Sequence, residues 1–339
     1  MSEPVPDAPS LLEALSEAAL IVSAGRVVAA NAAARALLGG SHENARLDQV
    51  ISHPAALEAL KRGTDVAEGV ELTGLGGSRR HWLMRSASLG NGTSLIRFVD
   101  RSEARAAEQM RVDFVANASH ELRTPLSTLI GYTETLREQA EQIDPATRER
   151  FLGVVHEEAR RMQRVVEDLI SLSRIEAEKF TAPTDAVELG SLIDHALDSA
   201  RRIADERGTR LASEVDADLP EIAADRSQIL QLLDNLIMNA LRYGEPGTPV
   251  TVAAHADGPM VHLSVADQGD GIAPEHLARV TERFYRVDTS RSRSLGGTGL
   301  GLSIVKHIVE RHRGRLAIDS ELGKGTTVNV LLPAAQAQS

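Results

Sequence analysis

Phe114-Val115-Ala116-Asn117-Ala118-Ser119-His120-Glu121-Leu122-Arg123-Thr124-Pro125-Leu126 is the stretch around which the rest of this sequence arranges itself. Val115, Leu122, Leu129 and Leu136 recur every seven residues, with Leu126 and Ile130 widening the apolar side. The spacing predicts a helix with a seam for packing on other helices. Counted from Val115, His120 falls opposite the seam, and Thr124 lies one turn further along that outer side. A histidine in water, flanked by a carboxylate, a guanidinium and a hydroxyl, is either an ordinary solvated helix face or a group that a partner must reach. Pro125 removes one backbone hydrogen bond just past it and favours a bend.

A second helix follows. Asp144-Pro145 supplies an N-cap and a proline at the first helical position. Val155, Met162 and Leu169 again fall seven apart, with Phe151, Val165 and Leu172 on the same side. Two helices joined by a short connection make an antiparallel hairpin. One hairpin buries only one stripe, so its natural completion is a homodimer with a four-helix bundle, the alternative being packing against its own N-terminal domain.

The remainder must fill two or three cores, because 339 residues are long for one. A net charge of -11 argues against broad nucleic-acid binding, which needs basic surface to displace counterions. The absence of cysteine excludes disulfides, thiolate zinc sites and cysteine nucleophiles. The most apolar run, residues 18–28, is too short for a bilayer and carries Arg26. The acidic, proline-containing start Met1-Ser2-Glu3-Pro4 is unlike a signal peptide. A cytoplasmic protein without a membrane span is expected, which leaves room for a membrane-associated signalling partner.

Residues 1–10, with three prolines, read as a disordered lead. Residues 11–99 fit a small α+β domain. A helix is expected at 11–16, strands at 19–23 and 26–30 joined at Gly25, and a helix at 31–38. A hairpin of strands 81–88 and 93–99 turns at Gly90-Asn91-Gly92. Trp82 reads as a packing residue, and the segment discloses no ligand. The chain is helical and charged from about 100 to 140. Ala182-Pro183-Thr184 marks a break before an α/β unit that ends near Pro333. There, helices are expected at 189–206 and 227–243, and strands at 250–255, 261–266, 315–319 and 326–332. The parallel alternation of a doubly wound fold is missing. The domain plan is therefore 1–10, 11–99, 100–180, 181–335 and a tail, 336–339.

Three clusters in the last unit carry chemistry. Asn235 and Asn239 stand at i and i+4 on an otherwise apolar helix, Leu232 to Tyr243. Asparagine is a weak helix former, so the pair is either a set of satisfied core amides or a source of amide oxygens for Mg²⁺, with Arg242 near enough for a phosphate. Asp267-Gln268-Gly269-Asp270-Gly271-Ile272 follows a strand. It can present a carboxylate to an amino group such as adenine's while Gly269 and Gly271 admit the base. Gly296-Gly297-Thr298-Gly299-Leu300-Gly301-Leu302 opens a helix, whose free backbone NH groups form an anion site. It is neither a dinucleotide fingerprint nor a Walker A loop. Lys324 lies in a hairpin turn. The polar stretch 288–297, with Arg291 and Arg293, reads as a lid over ATP.

In this order the clusters and the histidine helix resemble a bacterial sensor histidine kinase of two-component systems, over about residues 108–333. Ser119 to Leu126 is similar to the family's phosphoacceptor box, and Asn235 to Tyr243 to its asparagine box. The Asp267 and Gly297 clusters resemble its two glycine boxes, and Arg283-Phe284-Tyr285-Arg286 its phenylalanine box. The resemblance implies a multidomain α+β protein. It would have a helical hairpin in a dimeric four-helix bundle, and a Bergerat-type α/β sandwich ATP-binding domain with a mixed sheet. It implies ATP and Mg²⁺ as cofactors, and His120, Glu121 and Thr124 as catalytic residues. Asn239 would be the metal ligand with Asn235 beside it, Asp267 the adenine partner and Tyr243 a base neighbour. Arg242 and Arg286 would lie near the phosphates, cradled by Gly297, Thr298, Gly299, Leu300 and Gly301. Glu121 would orient the His120 tautomer, and Thr124 would position water in a phosphatase step on a response regulator receiver domain. Gln268 and Thr281 depart from the family pattern without removing a catalytic group. Residues 11–99 resemble a PAS domain more loosely, and the layout resembles the phosphate-regulon sensor kinases. The rival within the same ATP fold, a chaperone- or topoisomerase-like ATPase, has no use for the His120 helix. The other, a receptor with a degenerate ATP site, is at odds with the intact Asn239, Asp267 and glycine loop.

Overall fold

A computed structural model describes residues 8–62, 66–77, 80–139, 141–178, 180–287 and 297–335. The chain divides into two units, Met1–Val115 and Ala116–Ser339.

In the first unit α1 (Ala8–Glu13) precedes the strands β1 (Ala18–Ser23) and β2 (Arg26–Ala30). The helices α2 (Ala32–Leu38), α3 (Leu47–Val50) and α4 (Pro54–Arg62) follow, then β3 (Val66–Thr73), β4 (His81–Gly90) and β5 (Thr93–Asp100). The five strands form one antiparallel sheet in the order β2-β1-β5-β4-β3. Both hairpin loops, Ala24-Gly25 and Asn91-Gly92, hold two consecutive residues at positive φ, the backbone that a twisted two-residue turn requires. The sheet's inner face joins Leu20, Leu72, Trp82, Met84, Ile96 and Phe98 in one core with Ile51 of the helical side.

Buried Asn31 ties this core together. Its Oδ1 accepts from Ala34 N to cap α2 and from Ala19 N of β1, while Nδ2 donates to Leu15 O and Glu17 O. α1 stops at Glu13, short of the expected residue 16. Its start at Ala8 also places residues 8–10 in ordered structure, against the expectation of a disordered lead to residue 10. Residues 1–7 lie outside the described residues.

Helix α5 (Ser102–Glu138) runs unbroken through Pro125, which is buried. Helix α6 (Pro145–Ala177) starts at the expected cap, with Asp144 Oδ1 accepting from Thr147 N at 3.0 Å. Tyr132 and Phe151 meet edge-on at 4.9 Å near the hairpin's closed end. Val115, Leu126, Ile130, Leu152, Val166 and Ile170 leave an apolar stripe of this hairpin exposed.

The α/β part contains α7 (Leu189–Glu206), β7 (Leu211–Val215), α8 (Arg226–Tyr243), β9 (Val250–Asp257) and β10 (Met260–Asp267). Then come α9 (Pro274–Leu277), α10 (Gly301–Arg311), β11 (Arg315–Glu321) and β12 (Gly325–Pro333). Its sheet runs β11-β12-β10-β9-β7, antiparallel except for the parallel pair β7–β9. Val250, Val252 and Ala254 alternate inward with Val261, Leu263 and Val265 beneath a helical layer of α7, α8 and α10. β7 and a two-stranded ribbon of β6 (Ala186–Val187) with β8 (Ile222–Ala223) were not expected from the sequence.

Candidate active site

The end of α8 is bonded onto the loop after β10. Gly244 bridges to Gly269, and Glu245 N donates to Gln268 O. A Cβ at Gly269 would collide with Tyr243 O, so glycine is what lets these backbones touch. Asp267 stands at this junction. Its Oδ1 accepts from Gly269 N at 2.9 Å, and burial pushes its carboxyl above the usual range. Gly271, at φ +69°, lies so close to Glu321 O that a side chain would overlap the β11–β12 turn.

The glycine loop meets the asparagine face of α8. A Cβ built at Gly301 would lie 2.8 Å from Asn235 Oδ1 and 3.7 Å from Asn239 Nδ2. Asn235 Nδ2 donates to Gln231 O, which leaves its Oδ1 turned to the loop. The Asn239 amide has no hydrogen bond among the described residues. Two half-buried amide oxygens beside a glycine-lined backbone are the donor class Mg²⁺ accepts, so the residues fit that ion. Arg242 is desolvated, which lowers its pKa against the opposing pulls of Tyr243 and the Asp168 carboxylate. Tyr243 is 41% exposed at the rim. Gly299, at φ +74°, packs against the backbone of Phe284, itself at φ +62°, and Phe284 N donates to Gly299 O. Thr298 accepts from Leu300 N at 3.2 Å, and buried Leu300 closes the start of α10. Gly297, the last residue of the expected lid 288–297, is buried beside them, and residues 288–296 lie outside the described residues.

His120 and Thr124 are exposed on α5, as the heptad count requires, and Thr124 Oγ1 donates to His120 O at 3.3 Å. Glu121, expected to orient the His120 ring, is paired with two arginines in this structure. Its Oε2 is shared by Arg286 at 2.8 Å and Arg161 at 3.3 Å. Arg286, expected near the phosphates, is 5% exposed and forms one half of this pair. Three more contacts bind the hairpin to the sandwich. Thr298 Oγ1 donates to Asp168 Oδ2 at 2.8 Å, Ser171 donates to Gln231 at 2.6 Å, and Arg283 pairs with Glu176. Burial raises the Asp168 carboxyl above its ordinary range. Arg161 and Asp168 were not singled out from the sequence. Yet they stand seven apart in a row abutting the α6 seam, where a charge demands a partner.

A hairpin displaying a solvated histidine, docked on a glycine-rich α/β sandwich, defines a protein of the histidine-kinase class. Residues 110–178 match the His Kinase A (phospho-acceptor) domain family, and residues 224–336 the histidine kinase-, DNA gyrase B- and HSP90-like ATPase family. The phosphate regulon sensor protein PhoR of Pseudomonas aeruginosa is 36% identical over 290 residues, covering 86% of this chain and 65% of that protein. ShkA, solved at full length in complex with AMPPNP, is 30% identical with a TM-score of 0.50, over 67% of this chain and 47% of that one. The histidine kinase ThkA, solved in complex with response regulator protein TrrA, shares the fold at 19% identity, with a TM-score of 0.54 over 96% and 98% of the two chains. The chain belongs to the sensor histidine kinases and is PhoR-like in type, spanning less than two thirds of its PhoR relative's length.

Proposed function

We propose that the protein phosphorylates its own His120 from Mg²⁺-ATP, passes the phosphoryl group to an aspartate of a response regulator receiver domain, and dephosphorylates that regulator as well. The observation that carries this reading is the reach of Arg286, from the nucleotide side, to Glu121, the neighbour of an exposed His120. An ATPase without a phosphohistidine has no reason to grip that helix. In the transfer, a neutral imidazole nitrogen of His120 attacks the γ-phosphorus. The N–P bond forms, the bond to the β,γ-bridging oxygen breaks, and ADP leaves. Such chemistry asks the protein for position and charge neutralisation. Asn239, with Asn235, would hold Mg²⁺, whose chemistry there is to offset phosphate charge. Asp267 would accept from the adenine amino group, Tyr243 would flank the base, and Gly297 to Gly301 would offer NH groups to the phosphates. Separation of Arg286 from Glu121 would release the guanidinium to the phosphates and the carboxylate to the His120 ring. Thr124, one turn from His120, would position water on the regulator's phospho-aspartate.

The sheet order of the first unit, with helices between β2 and β3, supports a PAS-like sensor over residues 11–99. The exposed apolar stripe of α5 and α6 supports dimerisation through residues 100–180, with the ATP domain at 181–335. Among the described residues no helix is long and apolar enough to cross a membrane, which is compatible with a cytoplasmic site of action. The deciding experiment incubates wild type and His120→Gln with γ-labelled ATP and Mg²⁺. An acid-labile, base-stable label on wild type alone is expected, and equal labelling of His120→Gln would sink the reading.

A further inference from the structure

The sandwich has a second face, turned away from its helices. On it, His255 of β9 and His262 of β10 are direct cross-strand partners. His262 Nδ1 stands 3.1 Å from His255 Nε2, with ring centroids 4.6 Å apart and planes at 70°. The centroids are closer than a head-on N–H···N bond would leave them, so the two nitrogens are offset and not collinear.

The hydrogen bonds behind this pair fix its chemistry. Asn329 Nδ2 donates to Asp319 Oδ2 at 2.8 Å, which turns Asn329 Oδ1 towards His262 Nε2 at 3.0 Å. An amide oxygen can only accept, so Nε2 carries the ring proton and Nδ1 presents its lone pair to His255. A carboxylate acting through a neutral acceptor to set the tautomer of an imidazole is how proteins orient a metal-ligating histidine. The spacing agrees. Two nitrogens each about 2.0–2.1 Å from one ion stand roughly 2.9 Å apart at a right angle and about 3.4 Å apart in a tetrahedron. The observed 3.1 Å lies between these bites.

We propose that His255 and His262 form a chelating site for a late first-row divalent cation, of the class Zn²⁺, Ni²⁺ or Cu²⁺, completed by water. Imidazole donors select these ions over Mg²⁺ and Ca²⁺. The ion takes the place of the His255 Nε2 proton, which moves to Nδ1 of the same ring as it changes tautomer, and ties β9 to β10 across the open face. No cluster of three or more histidine, aspartate or glutamate ligands occurs among the described residues, so this two-imidazole site is a modest binder, in the micromolar range. It is distinct from the nucleotide cleft. His262 lies five residues before Asp267 on the same strand and on the opposite face, roughly 16 Å away at strand rise.

The test titrates tag-free, full-length protein with Zn²⁺ alone and with Ni²⁺ alone, by calorimetry, and follows thermal unfolding with each. One saturable site per chain and a raised melting temperature are expected. His255→Gln and His262→Gln each weaken it at least about tenfold, and Asn329→Leu weakens it by about 10–100-fold through the lost orientation of His262. His120→Gln leaves the affinity unchanged, which separates this site from the other exposed histidines. Nucleotide binding by each variant reports that the sandwich is folded. Absence of saturable binding, or binding that persists in the His255→Gln/His262→Gln double variant, overturns the proposal.

Discussion

Arg286 Nη2 lies 2.8 Å from Glu121 Oε2, joining positions 165 residues apart and placing a nucleotide-side guanidinium against the residue next to His120. Both side chains are largely withdrawn from water, at 5% and 21% exposure, so removing one partner alone costs more than it does at a surface ion pair. Arg161 holds the same carboxylate oxygen, so it softens the loss of Arg286, whereas loss of Glu121 takes this carboxylate from both arginines. A double-mutant cycle with Glu121→Gln and Arg286→Gln, read by equilibrium unfolding, is expected to give a coupling of about 0.5–3 kcal/mol. A coupling near zero would mean that the pair carries no energy.

Thr298 sits between two claims. Its hydroxyl closes the start of α10 by accepting from Leu300 N and donates to Asp168 on α6. If the loop must leave Asp168 to fold around phosphates, the two substitutions have opposite signs. Thr298→Ala weakens ATP binding by about tenfold, roughly 1.4 kcal/mol, because the helix start loses its side-chain partner. Asp168→Asn strengthens ATP binding severalfold, because the desolvated carboxylate no longer competes for the loop. Fluorescent-nucleotide titration separates them, and a shared sign would rule out competition.

Much of this arrangement was written locally. The Asp144-Pro145 cap, the Asn91-Gly92 turn and the asparagine pair at i and i+4 are short-range devices, and each was legible because its physics acts within a few residues. What could not be read needed the fold. β7 is five residues, its sequence mixes exposure on both faces, and its pairing is parallel to a strand 35 residues further on. The two-residue strands of the ribbon have no periodicity to detect. The contacts of Glu121 with Arg161 and Arg286 span 40 and 165 positions, so no local pattern announces them. Thr298 and Asp168 meet across 130 positions, and only the charged row Arg161–Asp168 on α6 hinted that the seam had an ionic edge.

Glycines with the same backbone conformation differ in what they demand. Gly271 and Gly323 share the left-handed backbone, at φ +69° and +76°, but a Cβ at Gly271 overlaps Glu321 O while Gly323 faces open space. Gly323→Ala therefore costs only the backbone penalty, about 1–2 kcal/mol. Gly271→Ala adds a collision with main chain that cannot rotate away, so its cost is expected to exceed that of Gly323→Ala by more than about 1 kcal/mol. Urea unfolding of the two variants checks the order, and equal losses would show that backbone conformation alone sets the requirement.

His312 is buried at the end of α10, with Nδ1 donating to Ile308 O and Nε2 accepting from Asp225 N. Both nitrogens are used by the neutral ring, and a second proton has nowhere to go without breaking the bond to Asp225 N. Burial accordingly holds its pKa below the ordinary 6.5, against the opposing pull of the Ile308 carbonyl, and Arg311 alongside pushes the same way as burial. The unfolded chain then binds more protons than the folded one once pH drops below about 6.5. This contribution to stability is complete above that pH and is lost as pH falls through the folded-state value. His307, depressed chiefly by burial as well, adds to the same window. Thermal unfolding of the full chain between pH 7.5 and 5 is expected to show stability falling with acidification. In His312→Gln the slope is shallower while the protein is less stable at pH 7.5. An unchanged slope in that variant would assign the acid sensitivity to other groups.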